Sequence, residues 1–150
     1  MKWWLLVLVV VAGACNSNGR VVRYYNFSGE EWPREECCEF ETNLPESGVY
    51  DIDVAVRHTV DLPYSEIWCA VTMRSDSSDW VVDTLRLPMM DSLGFWLGSG
   101  NSVKTVTLPI TEQGKFFHSG VVRVCIEHLG EGTIPGVSAA GVEFRVRSEE

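Results

Sequence analysis

Residues Val49 to Thr59 alternate with a period of two: Tyr50, Ile52, Val54 and Val56 against Asp51, Asp53, Ala55 and Arg57. Successive side chains of an extended chain point to opposite faces. The pattern therefore dictates a strand with one buried face, and it sets Asp51 and Asp53 side by side in water. Ser65 to Arg74 repeats the pattern, with Ile67, Cys69, Val71 and Met73 on one face and Trp68, Ala70 and Thr72 on the other. Asp76 to Asp79 reads as a hairpin tip, and Trp80 to Leu87 as the returning strand. Together, Val49 to Leu87 predicts a three-stranded antiparallel meander.

Five further segments have strand character. Arg20 to Phe27 is rich in β-branched and aromatic residues. Cys37 to Asn43 alternates weakly. Val103 to Ile110 sets Val106, Leu108 and Ile110 on one face. Val121 to Leu129 does the same with Val122, Val124 and Ile126, and Gly141 to Arg147 with Val142, Phe144 and Val146. Ser28 to Glu36 holds Trp32-Pro33, which forbids a central strand and predicts a loop with one aromatic tucked inward. Helical periodicity is nowhere sustained over three turns. The expected fold is all-β: an antiparallel β-sandwich, Ig-like or jelly-roll-like, of about eight strands.

The chain opens with Lys2, an apolar run from Trp3 to Val11, small residues Ala12-Gly13-Ala14, and Cys15. A basic start, a short apolar core and a small-residue cleavage zone read as a secretory signal. The run falls short of the roughly 20 apolar residues a membrane span needs. A cysteine directly after the small residues resembles a bacterial lipobox, in which the thiol takes a diacylglycerol and becomes the new N-terminus. An ordinary signal cut after Ala14 leaves a soluble secreted domain instead. The expected organisation is a signal peptide over 1–14, a lipidated N-terminus and short tether over 15–19, and one β-sandwich domain over 20–150. Two or more acyl chains anchor stably, so the membrane is the first expected partner. No Asp follows at the retention position after Cys15, which points to the outer membrane.

The net charge of −9 disfavours phosphate backbones, so nucleic acid is not an expected partner. It also disfavours anionic headgroups, which leaves the lipid to hold the domain at the membrane. Four cysteines follow Cys15: Cys37, Cys38, Cys69 and Cys125. The compartment permits disulfides, and four cysteines allow three pairings. A bridge between neighbours Cys37 and Cys38 is strained, and parity sets Cys125 on the face opposite the core that Cys69 enters. The simplest expectation is that most are small buried residues.

Pro88 to Ser102 is not a plain solvated turn. Phe95, Trp96 and Leu97 sit there among three glycines. Such a loop either folds back to brace the core or forms a partner surface.

No motif carries catalysis. His58, His118 and His128 lack metal-ligand spacing, and there is no GxSxG elbow. His58 falls on the inward parity of its strand and reads as packed. No catalytic residue, metal or cofactor is expected.

From about Val49 onward the chain resembles the gliding-motility lipoprotein GldH family of Bacteroidetes-type bacteria. The matching pieces are the signal with Cys15, Tyr50, Val56-Arg57-His58-Thr59, Leu62-Pro63-Tyr64-Ser65, Asp83-Thr84-Leu85, Asp91 to Gly100, Ile134 to Val137, and Gly141 to Arg145. Gly94-Phe-Trp96-Leu97-Gly98-Ser-Gly100 is the most specific of them. The resemblance implies a lipid-anchored cell-envelope protein that acts with other envelope proteins, without catalysis. The competing expectation is a surface-tethered glycan-binding sandwich with Trp68 and Trp80 as its stacking platform.

Overall fold

A computed structural model describes residues 19–34, 37–76 and 79–148, apart from the side chains of 81–83. The expected signal peptide and Cys15 lie outside the described residues. Eight strands of seven residues or more account for the two sheets: β1 (Arg20–Asn26), β3 (Cys38–Leu44), β4 (Gly48–Thr59), β5 (Glu66–Ser75), β6 (Asp79–Pro88), β7 (Val103–Pro109), β9 (Gly120–His128) and β11 (Val137–Val146). Three short ones complete the set among the described residues: β2 (Glu31–Trp32), β8 (Lys115–Phe117) and β10 (Ile134–Pro135).

The first sheet runs β1-β11-β4-β7, with β8 continuing the edge beside β4; the second runs β3-β9-β5-β6. Every pairing is antiparallel. Counting the eight long strands in order, the sheets read 1-8-3-6 and 2-7-4-5, the strand order of a jelly roll. That decides between the two sandwich types left open by the sequence.

The expected meander is overturned. β5 and β6 do form a hairpin, but β4 belongs to the other sheet, between β11 and β7. Leu62 is buried at the end of the sandwich and carries the chain across from one sheet to the other. A strand as long as β4 needs partners along both edges, and these come from segments far away in sequence.

Tyr50, Ile52, Val54 and Val56 are fully buried, in one core with Val142 and Phe144 from the neighbouring strand β11 and Val122, Val124 and Ile126 from β9 of the facing sheet. Each such side chain contributes about 1.5–3 kcal/mol through removal from water. The expected wet face of β4 is overturned at Asp53 and Ala55, which are only 6% and 4% exposed. A roof of side chains covers them. Arg145 donates to Asp53 Oδ2 at 2.6 Å. The Tyr24 ring lies over Gly141, where a Cβ would come within 2.6 Å of it. The Arg57 guanidinium in turn stacks 3.9 Å from the centre of the Tyr24 ring. Burial raises the Asp53 pKa, against the opposing pull of Arg145.

Trp32 is fully buried, as the loop reading expects. It stacks on Phe27 and meets His128 edge-on. Of the cysteines, Cys38 and Cys69 are buried, and burial pushes the Cys69 thiol up to about 12. Cys37 and Cys125 depart from the buried-residue expectation: they form a disulfide with their Cα atoms 5.5 Å apart. Cys38 pairs with Ile126 on the inner parity, so Cys37 and Cys125 share the outer face.

Candidate interaction surface

The two ends of the sandwich differ. At one end, Thr59 meets Val103, His58 meets Val137, and Asn26 meets Ala139. Residues 27–34 and the connections 60–65, 89–102 and 129–136 gather there. The other end carries the short 45–47 turn and the 110–119 connection with β8, together with Gly19, whose carbonyl accepts the Val146 N–H.

The 89–102 connection is an ordered hairpin rather than a slack loop. Leu97 N–H donates to Met89 O at 2.8 Å, and Met90 bridges to Trp96. At the tip, Asp91 Oδ1 accepts the N–H groups of Leu93 and Phe95, each at 2.9 Å. Asp91 N–H donates to Phe95 O, and Gly94 N–H to Asp91 O. A carboxylate bonding backbone two residues on is the Asx device that sets a tight turn. Past the tip, Ser99 pairs with Thr105. Gly98 has φ +88°, and a Cβ there would stand 2.3 Å from Thr105 O, so only glycine fits the crossing.

The three aromatic and aliphatic residues singled out in this loop do not share one role. Trp96 and Leu97 turn inward and pack on the core. The Trp96 indole lies 4.7 Å from the His58 imidazole, centre to centre. Phe95 turns outward and is 67% exposed, beside Leu93 at 80%. Val60, Tyr64 and Val103 are exposed at the same end. Sequence reading missed Leu93. Its signal was the turn itself: two large apolar residues flanking Gly94 inside an Asp-led tip.

His58 is fully buried, as its parity predicts, and its Nδ1 lies 2.9 Å from Thr59 O. Its Nε2 is buried with no partner among the described residues. The imidazole is packed in the interior against the Trp96 indole.

A groove of about 590 Å³ lies beside this end, lined by Tyr64, Glu66, Trp68, Leu129, Glu131 and Ile134 among others. Trp68 is 43% exposed and donates its indole N–H to Glu66 Oε1 at 3.1 Å. Glu66 Oε2 accepts from Arg86 Nε at 2.5 Å. These bonds, Arg86 first, hold the Glu66 carboxyl below its ordinary range. The expected Trp68–Trp80 platform is overturned. Trp80 pairs with inward-facing Met73 and packs on the core, whereas Trp68 pairs with Arg86 on the outer face. The two indoles lie on opposite sides of one sheet.

Comparison with known proteins finds a family model, described as GldH lipoprotein, that matches residues 21–144. The gliding motility lipoprotein GldH of Flavobacterium johnsoniae is 26% identical over 152 residues, covering 97% of this chain and 95% of that protein. Among solved structures, the Eiger TNF of S. frugiperda superimposes with a TM-score of 0.49 at 6% identity, over 88% of this chain and 96% of that one. The VP2 subviral particle of infectious bursal disease virus gives 0.32 at 13% identity, over 97% of this chain and 38% of that one. Likeness at those TM-scores adds nothing to the fold read from strand order.

Proposed function

This chain belongs to the GldH lipoprotein family, and we propose that it is a non-enzymatic component of an envelope machinery of the gliding-motility type, working through protein contacts. In this reading, residues 1–14 are removed, Cys15 carries the lipid, and the sandwich stands at the outer membrane. The observation that carries the protein-contact role is the tip of the 89–102 hairpin. It holds Leu93 and Phe95 out in water on a turn locked by Asp91. Large apolar side chains presented in solvent on an already ordered backbone suit a binding anchor, because little backbone freedom remains to be lost on association.

The test is a mild-detergent pull-down of the tagged, lipidated protein from native membranes. Three forms are compared: wild type, Cys15→Ala, and the double variant Leu93→Ser with Phe95→Ser. A fixed set of envelope proteins should accompany the wild type and be lost from both variants. A wild type that is membrane-bound but brings nothing down removes the machinery reading.

Trp68 favours a second reading, a surface-tethered glycan-binding sandwich. Its exposed ring, fixed by Glu66 in a groove, suits stacking on a sugar ring. A glycan array probed with wild type and Trp68→Ala decides it. Absence of binding by the wild type removes this reading.

A further inference from the structure

The end of the sandwich with the 45–47 turn carries its own exposed apolar residues. Four consecutive positions cross this end as neighbours. Gly19 O accepts Val146 N–H at 3.0 Å, Arg147 N–H donates to Val49 O at 2.8 Å, and Val49 pairs directly with Phe116. Phe116 is 52% exposed and Val49 38%, side by side on the outer face of the first sheet. Phe116 rests edge-on against His118 at 5.1 Å. Val121, at the start of β9, adds a further exposed side chain at 46%.

Chain length relates this end to the lipid. Four residue steps separate Cys15 from Gly19, and at about 3.6 Å per step they reach at most about 14 Å. β1 and β8 lie three strand positions apart across the sheet, which at about 4.8 Å each is again about 14 Å. A bilayer that receives acyl chains on Cys15 can therefore touch Phe116 within the length of the tether. The opposite end is far away: β4 alone spans the eight steps from Tyr50 to His58, about 27 Å at about 3.4 Å per residue.

We propose that Phe116, with Val49 beside it, is a second membrane contact, its ring entering the headgroup–acyl boundary of a phospholipid surface. The domain then stands on this end, and the Leu93–Phe95 tip points away from the bilayer. This rests on the lipid-anchored reading above. The contact is apolar rather than electrostatic. Arg147 is engaged by Asp51, Glu46 and Glu112 lie at the same end, and the chain carries −9 overall. The surface it suits is zwitterionic, of the phosphatidylethanolamine kind.

The test places photoreactive benzoylphenylalanine at position 116 and, in a separate chain, at position 95. Each full lipidated protein is reconstituted in phosphatidylethanolamine–phosphatidylcholine vesicles, irradiated and weighed by mass spectrometry. The expected result is a phospholipid adduct at 116 and its loss at 95. A lipidated chain with no lipid adduct at 116, or with a covalent dimer there instead, overturns the contact while leaving the anchor standing. A mature chain whose mass carries no acyl groups overturns the anchored reading, and the contact with it. A Phe116→Ser variant that retains the wild-type melting temperature shows that the residue is not there for the fold.

Discussion

The imidazole of His58 and the indole of Trp96 lie 4.7 Å apart at an interplanar angle of 52°, and His58 is wholly buried beneath. One ring belongs to the central strand β4 and the other to the 89–102 hairpin. Their contact ties the candidate partner surface to a central strand of the first sheet, so stability and recognition separate between adjacent residues.

Trp96→Ala should therefore destabilise the fold by about 2–4 kcal/mol, somewhat below the range for a fully buried aromatic because Trp96 is only partly covered. Leu93→Ser and Phe95→Ser, which remove exposed side chains, should each stay within about 0.5 kcal/mol of wild type. Urea denaturation reads both. A Trp96→Ala protein with unchanged midpoint would mean that the indole does not brace the loop.

Gly98→Ala should cost about 1–3 kcal/mol or more from backbone strain alone. The added Cβ also has to displace the Thr105 carbonyl, 2.3 Å away. Gly94→Ala has the same kind of φ but open space around it, so it should cost less. Equal losses for the two would place the penalty in backbone conformation and not in the crossing.

Cys37 and Cys125 are 88 residues apart, a long loop to close. In the chain-entropy account, breaking the bridge with Cys125→Ser should cost about 2–4 kcal/mol. Peptide mapping without reductant should recover the two cysteines in one linked fragment that separates on reduction. Recovery of Cys37 and Cys125 in separate peptides from the oxidised protein would refute the pairing.

His128 should make the fold less stable in mild acid. Its Nδ1 accepts the Gly130 N–H at 3.2 Å and its Nε2 donates to Trp32 O at 3.1 Å, so both positions suit the neutral ring. Burial, outweighing the bond to Trp32 O, lowers its pKa below the ordinary value of 6.5. The unfolded chain then binds the proton more readily, and stability falls as pH drops through about 6.5 towards the lowered folded value. Melting curves between pH 7.5 and about 5 should show this slope, and His128→Gln should flatten it. An unchanged slope in the variant would assign the effect to other groups.

Arg145→Met should destabilise by about 1–3 kcal/mol, because it strips the partner from a carboxylate that is already buried. Asp53 Oδ1 has no partner among the described residues, and Oδ2 relies on Arg145. Adding Asp53→Asn to Arg145→Met should recover part of the loss in a denaturation series, since the neutral amide tolerates burial better than the carboxylate.

Much of the strand content was legible because period-two alternation reports which side chains a sheet must bury. β4, β5, β9 and the later part of β11 follow the expected parity on their inner faces. The outer face of β4 was not legible. Asp53 and Ala55 look solvated from local pattern, and only the arrival of Arg145 and Tyr24 from strands far along the chain covers them. The Trp68–Trp80 platform failed similarly. Two tryptophans in adjacent strands share a face or oppose each other according to pairing register, and register is not written in either strand alone.

Local pattern alone specifies the all-β class, most of the inward apolar residues and the singular character of the segment from Pro88 to Ser102. These follow from local rules: the two-residue pleat, turn chemistry, and the cost of leaving large apolar groups in water. The jelly-roll order, the meeting of Cys37 with Cys125, and the turning of Trp96 inward and Phe95 outward are settled in three dimensions. Each of these is a non-local pairing, fixed by which distant edges satisfy one another's backbone groups. A one-residue change of register would exchange every inward side chain for an outward one.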